Sequence, residues 1–172
     1  MRRFALIALV LAATPAAADN AHQHSPYAGN EARDIKALSP EEIADLNAGR
    51  GMGLALAAEL NGYPGPRHVL DLAQELNLTA EQQRRTGELF ESMRQETSAL
   101  GGQLIEAERT LDRLFADKLA TPDSVAAATA HAGAIGAQLR AAHLRYHLAM
   151  MDVLTAEQVA AYNHLRGYAT QH

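Results

Sequence analysis

The pentapeptide Leu78-Thr79-Ala80-Glu81-Gln82 recurs unchanged as Leu154-Thr155-Ala156-Glu157-Gln158, and each copy has the pattern of a capping box that commits the residues after it to a helix. The Thr hydroxyl can accept from the Gln backbone N–H, and the Gln side chain can reach back to the Thr N–H. The Glu in the first turn suits the positive end of the helix dipole. Leu154 is also placed to staple onto Val159, whereas Gln83 stands at the equivalent position of the first copy.

Between the copies lie two long helical stretches. The first is predicted from about Ala80 to Lys118, with Leu89, Met93, Leu100, Leu104, Ala107, Leu111 and Leu114 at spacings of three and four. Gly101-Gly102 falls inside it and is expected to bend it. The second starts at Thr121-Pro122, an N-cap with Pro at the first helical position, and carries Val125, Ala128, Ala132, Ile135, Leu139, Ala142, Tyr146 and Ala149 on one seam. Two such seams joined by a short turn predict an all-α fold, an elongated antiparallel long-helix hairpin flanked by short N-terminal and C-terminal helices. Leu144, Leu148 and Met151 project away from that seam, so the end of the second helix needs another partner, and a homodimer is expected.

Ahead of the first copy, Arg2-Arg3, an apolar run from Phe4 to Ala13 and the small residues Ala16-Ala17-Ala18 make a secretory signal peptide over 1–18. Neither that run nor any later stretch approaches the roughly 20 apolar residues that spanning a bilayer requires. Residues 19–37 are polar, with Pro26 and Gly29, and are expected to form a flexible lead-in exposing His22 and His24. A single helical domain is expected over 38–172. It opens with Leu38-Ser39-Pro40-Glu41-Glu42, a further capping box stapled by Leu38 onto Ile43. Gly49, Gly51 and Gly53 interrupt the chain, Leu54–Leu60 forms a short apolar segment, 61–66 a firm turn, and Arg67–Leu76 another short helix.

Loss of the leader removes Arg2 and Arg3, leaving 13 basic against 20 acidic side chains, a formal charge of −7. Nucleic acid is not an expected partner for so acidic a chain. There is no cysteine, hence no thiolate for catalysis or soft-metal binding.

A cleaved leader, an elongated helical body, no cysteine, and paired Leu-Thr-x-x-Gln motifs at Leu78-Thr79…Gln82 and Leu154-Thr155…Gln158 resemble the Spy/CpxP group of periplasmic chaperones and stress regulators, together with its heavy-metal-sensor relatives. The resemblance covers about Ser39 to Tyr168. It implies a dimeric helical shell in the periplasm that holds unfolded client proteins on a concave face, restrains a membrane sensor protein, or reports metal. The chain departs from the chaperone members in its acidity, and Gly49–Pro66 is unlike the group's pattern.

His143 and His147 are four apart on one helix, and Met151 continues the row. Two imidazoles at that spacing can reach one divalent transition metal, zinc, copper, nickel or cobalt. The resemblance places a metal-binding His or Met row on the corresponding helix. His68, Glu59 or a second subunit can complete such a site; equally, the pair suits a hydrogen-bonded position in the helical core. His131, His164 and His172 read as solvated surface, and Met93 and Met150 as core. No enzyme is expected. Gly49-Arg50-Gly51-Met52-Gly53 lacks the third glycine and the preceding strand of a dinucleotide loop, and Glu106 and Glu108 belong to a solvated helix face.

Overall fold

The computed structural model describes residues 25–168. The expected signal peptide, with His22, His24 and His172, lies outside the described residues. Within them the regular structure is all helical: α1 (Pro40–Asn47), α2 (Leu56–Glu59), α3 (Pro66–Asp71), α4 (Ala80–Ala116), α5 (Pro122–Met150) and α6 (Ala156–Leu165), preceded by a single 3-10 turn at Asn30–Ala32.

Helix starts follow the local chemistry of the sequence. Ser39, Thr79, Thr121 and Thr155 each close a reciprocal capping box, accepting from the backbone N–H three residues on and receiving that residue's side chain at their own N–H. Each box satisfies orphaned first-turn donors, a contribution of about 1 kcal/mol apiece. Helix α3 ends at Asp71, short of the predicted Leu76, and the chain reaches Leu78 through turns with Asn77 in the left-handed region at φ 49°.

Helices α4 and α5 pack antiparallel as the long hairpin, with α1 and α3 against α4 and α2 against α5. Three apolar clusters succeed one another along it. Val69, Leu76, Leu78, Met150, Val153, Leu154 and Tyr162 fill the open end. Ile35, Leu46, Ile105 and Leu139 form the middle, and Ala107, Ala132 and Ile135 the last layer. No residue of α4 beyond Ala107, and none of α5 before Ala132, is buried. The remainder of the hairpin is a thin two-helix arm.

The predicted seam of α4 is displaced. Its buried row is Thr86, Met93, Thr97, Gly101 and Ile105 with Ala107, while Leu89, Leu100 and Leu104 pack half-buried at the side. Small residues occupy the row because backbone, not side chain, lies against it. A Cβ on Gly101 would stand 2.2 Å from the Leu46 carbonyl oxygen, and one on Gly49 would stand 2.8 Å from that of Arg94. Helix α4 runs unbroken through Gly101-Gly102, so Gly101 answers a demand for close approach. The end of the lead-in is tied down, with Ile35 wholly buried and the Lys36 N–H bonded to Asp112 Oδ1 at 3.0 Å, while Ser25 to Gly29 stay exposed. Buried Ile35 and the ion pairs Lys36–Asp112 and Asp34–Arg109 dock it onto α4.

The adjacent glycines of α4 should therefore respond in opposite ways. Gly101→Ala drives a Cβ into the α1 backbone and should destabilise by about 2 kcal/mol or more. Gly102 has nothing within 4 Å of its would-be Cβ, so Gly102→Ala should stabilise by about 0.5–1 kcal/mol. Chemical denaturation of the two variants checks both signs.

Candidate functional site

The two Leu-Thr-x-x-Gln motifs meet. Beyond capping its own helix, each glutamine amide bonds the other: Gln82 Nε2 donates to Gln158 Oε1 at 2.7 Å, and Gln158 Nε2 donates to Gln82 Oε1 at 3.1 Å. The remaining protons go to the carbonyls of Val153 (2.9 Å, from Gln82) and Leu76 (3.2 Å, from Gln158). Each Oε1 also accepts from its own Thr N–H at 3.0 Å. Every amide donor and both oxygens are thereby used in a half-buried place, and the start of α4 is locked to the end of α5 and the start of α6. Leu78 and Leu154 sit beneath the pair in the core. All six predicted motif residues thus belong to one joint.

A cleft of about 430 Å³ opens between the Gly49–His68 segment and the hairpin. Its floor includes Phe90 and Met93 from α4, Met52 and Leu56 lie along the glycine-rich side, and Glu59, His68, His143 and His147 also line it. The sequence-predicted histidines are accordingly brought together. Met151 is not: it is the residue after α5, 39% exposed and outside the cleft. A four-residue step advances a helix about 40° beyond a full turn, so the row that starts at His143 has rotated off by Met151.

Glu59 organises the inner wall. It is 6% exposed, and a buried carboxylate requires partners. Tyr162 Oη and Tyr168 Oη both donate to Oε1, the latter at 2.9 Å, and Arg166 Nε approaches the same atom at 3.4 Å. Burial, followed by this bond to Glu59, raises the Tyr162 pKa well above the ordinary phenol range. Glu59 Oε2 lies 3.7 Å from His147 Nδ1, which itself sits 2.7 Å from the Tyr63 carbonyl oxygen and so carries the proton that bonds it. Glu59 Oε2 and His143 Nε2 are both buried and have no hydrogen-bond partner among the described residues. Tyr162, Tyr168 and Arg166 were not among the residues expected at a site; the signal available was the lone acid Glu59 in an apolar segment.

Burial, and secondarily His147, lowers the His143 pKa below its ordinary 6.5. Burial and then Arg166 lower that of His68. Both rings are held toward the neutral form, as metal ligation requires. A transition metal nevertheless needs about four donors in a closed geometry, and among the described residues no group of three or more His, Cys, Asp or Glu is placed to hold one. The described residues of one copy alone do not complete a site for a resident metal.

A family model described as LTXXQ motif family protein matches residues 66–166, a stretch that takes in both motifs and begins just after Gly65. No curated protein and no solved structure matches the chain.

Two outcomes follow from this geometry. Gln82→Leu strands the Gln158 amide and the Val153 carbonyl, and should cost about 2–4 kcal/mol, well above the roughly 1 kcal/mol of Thr79→Ala; the Gln82→Leu/Gln158→Leu double variant should cost less than the sum of its singles. Urea titrations measure the cycle. Because the folded pKa of His143 lies below its unfolded value of 6.5, the unfolded chain takes up more protons in acid. The stabilising effect of keeping His143 neutral is complete above pH 6.5 and is lost as pH falls from there toward the lowered folded value. Melting temperatures recorded between about pH 8 and pH 5 should decline less for His143→Leu than for the wild type.

Proposed function

The chain belongs to the LTXXQ motif family, which contains Spy/CpxP-like proteins and is typically periplasmic, and from that premise we propose that it works by binding, as a periplasmic chaperone or envelope-stress adaptor that holds apolar segments of unfolded client proteins. The observation that carries this reading is the cleft, with the apolar side chains of Phe90, Met93, Met52 and Leu56 along it. Met52 is 41% and Leu56 54% exposed beside it, so the glycine-rich side of the cleft presents apolar side chains to an incoming segment. Methionine suits varied partners because its side chain is unbranched and adaptable. The Gly49–Gly53 wall, with Gly49, Met52 and Gly53 in the left-handed region, is built from turns. Catalysis finds no comparable support, and no described helix is long and apolar enough to cross a membrane.

Dimerisation belongs to the same proposal. Leu148 is 58% exposed, with Met151 beside it at the end of α5, where a second copy would cover them. A metal sensor or buffer is the second reading. It is supported by the unpartnered Glu59 Oε2 and His143 Nε2 along one cleft, and opposed by the lack of a group of three donors among the described residues.

The test is suppression of aggregation when a chemically unfolded protein is diluted into buffer containing the mature chain. Protection should approach stoichiometric ratios, survive chelation, and fall severalfold for Met52→Asp/Leu56→Asp, whose exposed positions leave folding intact. Absence of protection at any ratio, or indifference to those substitutions, would overturn the client-binding reading. Activity lost on chelation and restored by zinc, copper, nickel or cobalt would favour the second.

A further inference from the structure

The charge around the cleft runs against that of the chain. Acidic side chains outnumber basic ones 20 to 15 overall, yet among the described residues Arg50, Arg67 and Arg94 line the cleft and Glu59 is the single acid that does. Glu59 Oε1 is already engaged by the α6 end of the molecule. Each arginine has an acidic neighbour, Asp45, Asp71 and Glu91 respectively, and none of those acids lines the cleft. The three arginine side chains are half or more exposed where they line the cleft, each paired to an acid outside it.

These pairs leave most of the donors unused. Arg67 reaches Asp71 through Nε alone, at 3.0 and 3.2 Å from its two oxygens. Arg94 uses Nε and Nη2 on Glu91, and Arg50 uses Nη1 on Asp45. A guanidinium carries five N–H donors, so both terminal nitrogens of Arg67, Nη1 of Arg94 and Nη2 of Arg50 have no partner among the described residues. Exposed ion pairs of this kind contribute little and are readily exchanged. The Arg67 guanidinium also lies over the Phe90 ring, 5.8 Å from its centroid, a cation–π contact that keeps positive charge directly beside the apolar floor.

Building on the client-binding reading, we propose that the cleft selects extended polypeptide segments in which an apolar side chain adjoins an acidic one. The apolar group lies against Phe90 and Leu56, and the carboxylate takes the unused donors of Arg67 and Arg94. A carboxylate meeting a planar guanidinium can form two charge-assisted bonds, which a neutral amide cannot match and an ammonium opposes. An acidic protein with this cleft discriminates among unfolded chains by the local charge around their apolar residues; its own net charge does not set the preference.

Fluorescence anisotropy of labelled octapeptides against the full mature chain tests this. Three peptides share an apolar core and differ only in whether Asp, Asn or Lys flanks it. The Asp peptide should bind about tenfold tighter than the Asn peptide, with the Lys peptide weakest, and the spread should shrink at high salt. Arg67→Glu/Arg94→Glu should invert the order, Arg67→Gln/Arg94→Gln should erase it without inversion, and Leu56→Asp should weaken the Asp and Asn peptides alike. Equal binding of all three, unchanged in both arginine variants, would overturn charge selection while leaving client binding intact. Protection in the aggregation assay without binding of any peptide would overturn the cleft as the client site; absence of both would remove the client-binding reading itself. Displacement of the Asp peptide by a medium-chain fatty acid at lower concentrations than any peptide would instead make the cleft a small-amphiphile site and overturn the proposal.

Discussion

The reciprocal amide pair of Gln82 and Gln158 is the contact on which the remaining architecture rests. A capping glutamine ordinarily serves its own helix. Here each amide also serves the other helix's cap and one further carbonyl, so two local devices become one long-range constraint. It closes the open end of the hairpin by fixing where α5 stops relative to where α4 begins. With that register set, Leu78 and Leu154 enter a single cluster, and α6 is aimed so that Tyr162 reaches Glu59. A half-met network at this joint would be worse than an apolar one, since stranded amides cost more than the bonds they lose contribute.

The second constraint is the burial of Glu59. A carboxylate removed from water is tolerable only where donors converge, and they come from the opposite end of the sequence, Tyr162, Arg166 and Tyr168. This carboxylate therefore ties the turn-rich Gly49–Pro66 segment to α6, while the Tyr63 carbonyl ties it to His147 on α5. Part of the segment's apolar surface stays exposed, Leu56 and Leu60 among it, and these polar anchors help hold it as one wall of the cleft.

Helix starts and the hairpin were legible in the sequence because capping is local chemistry: Ser39, Thr79, Thr121 and Thr155 announce themselves within four residues. What lay at a distance was not. Identical motifs give no sign that their glutamines face each other, since each is fully accounted for by its own cap. The buried row through Thr97 and Gly101 escaped a search for leucines because the approach of the Gly49 and Leu46 backbone selects for small size, which hydrophobic periodicity does not record. His143, His147 and His68 line one cleft, whereas Met151 lies outside it because a four-residue spacing drifts around the helix. Ile35 was hidden by its polar neighbours, and Arg67 and Arg94 by their surface acids.

The apolar layers stop at Ala107 and Ala132, whereas α4 continues to Ala116 and the turn carries Lys118 in the left-handed region at φ 59°. From Met93 on the cleft floor to the end of α4 is on the order of 35 Å at helical rise. The part of α4 beyond Ala107 has no core of its own to be disturbed, and its residues line neither the amide joint nor the cleft. The Lys118 turn is consequently the natural seam at which a fluorophore, a tether or an inserted domain can be spliced into this chain, turning the arm into a handle.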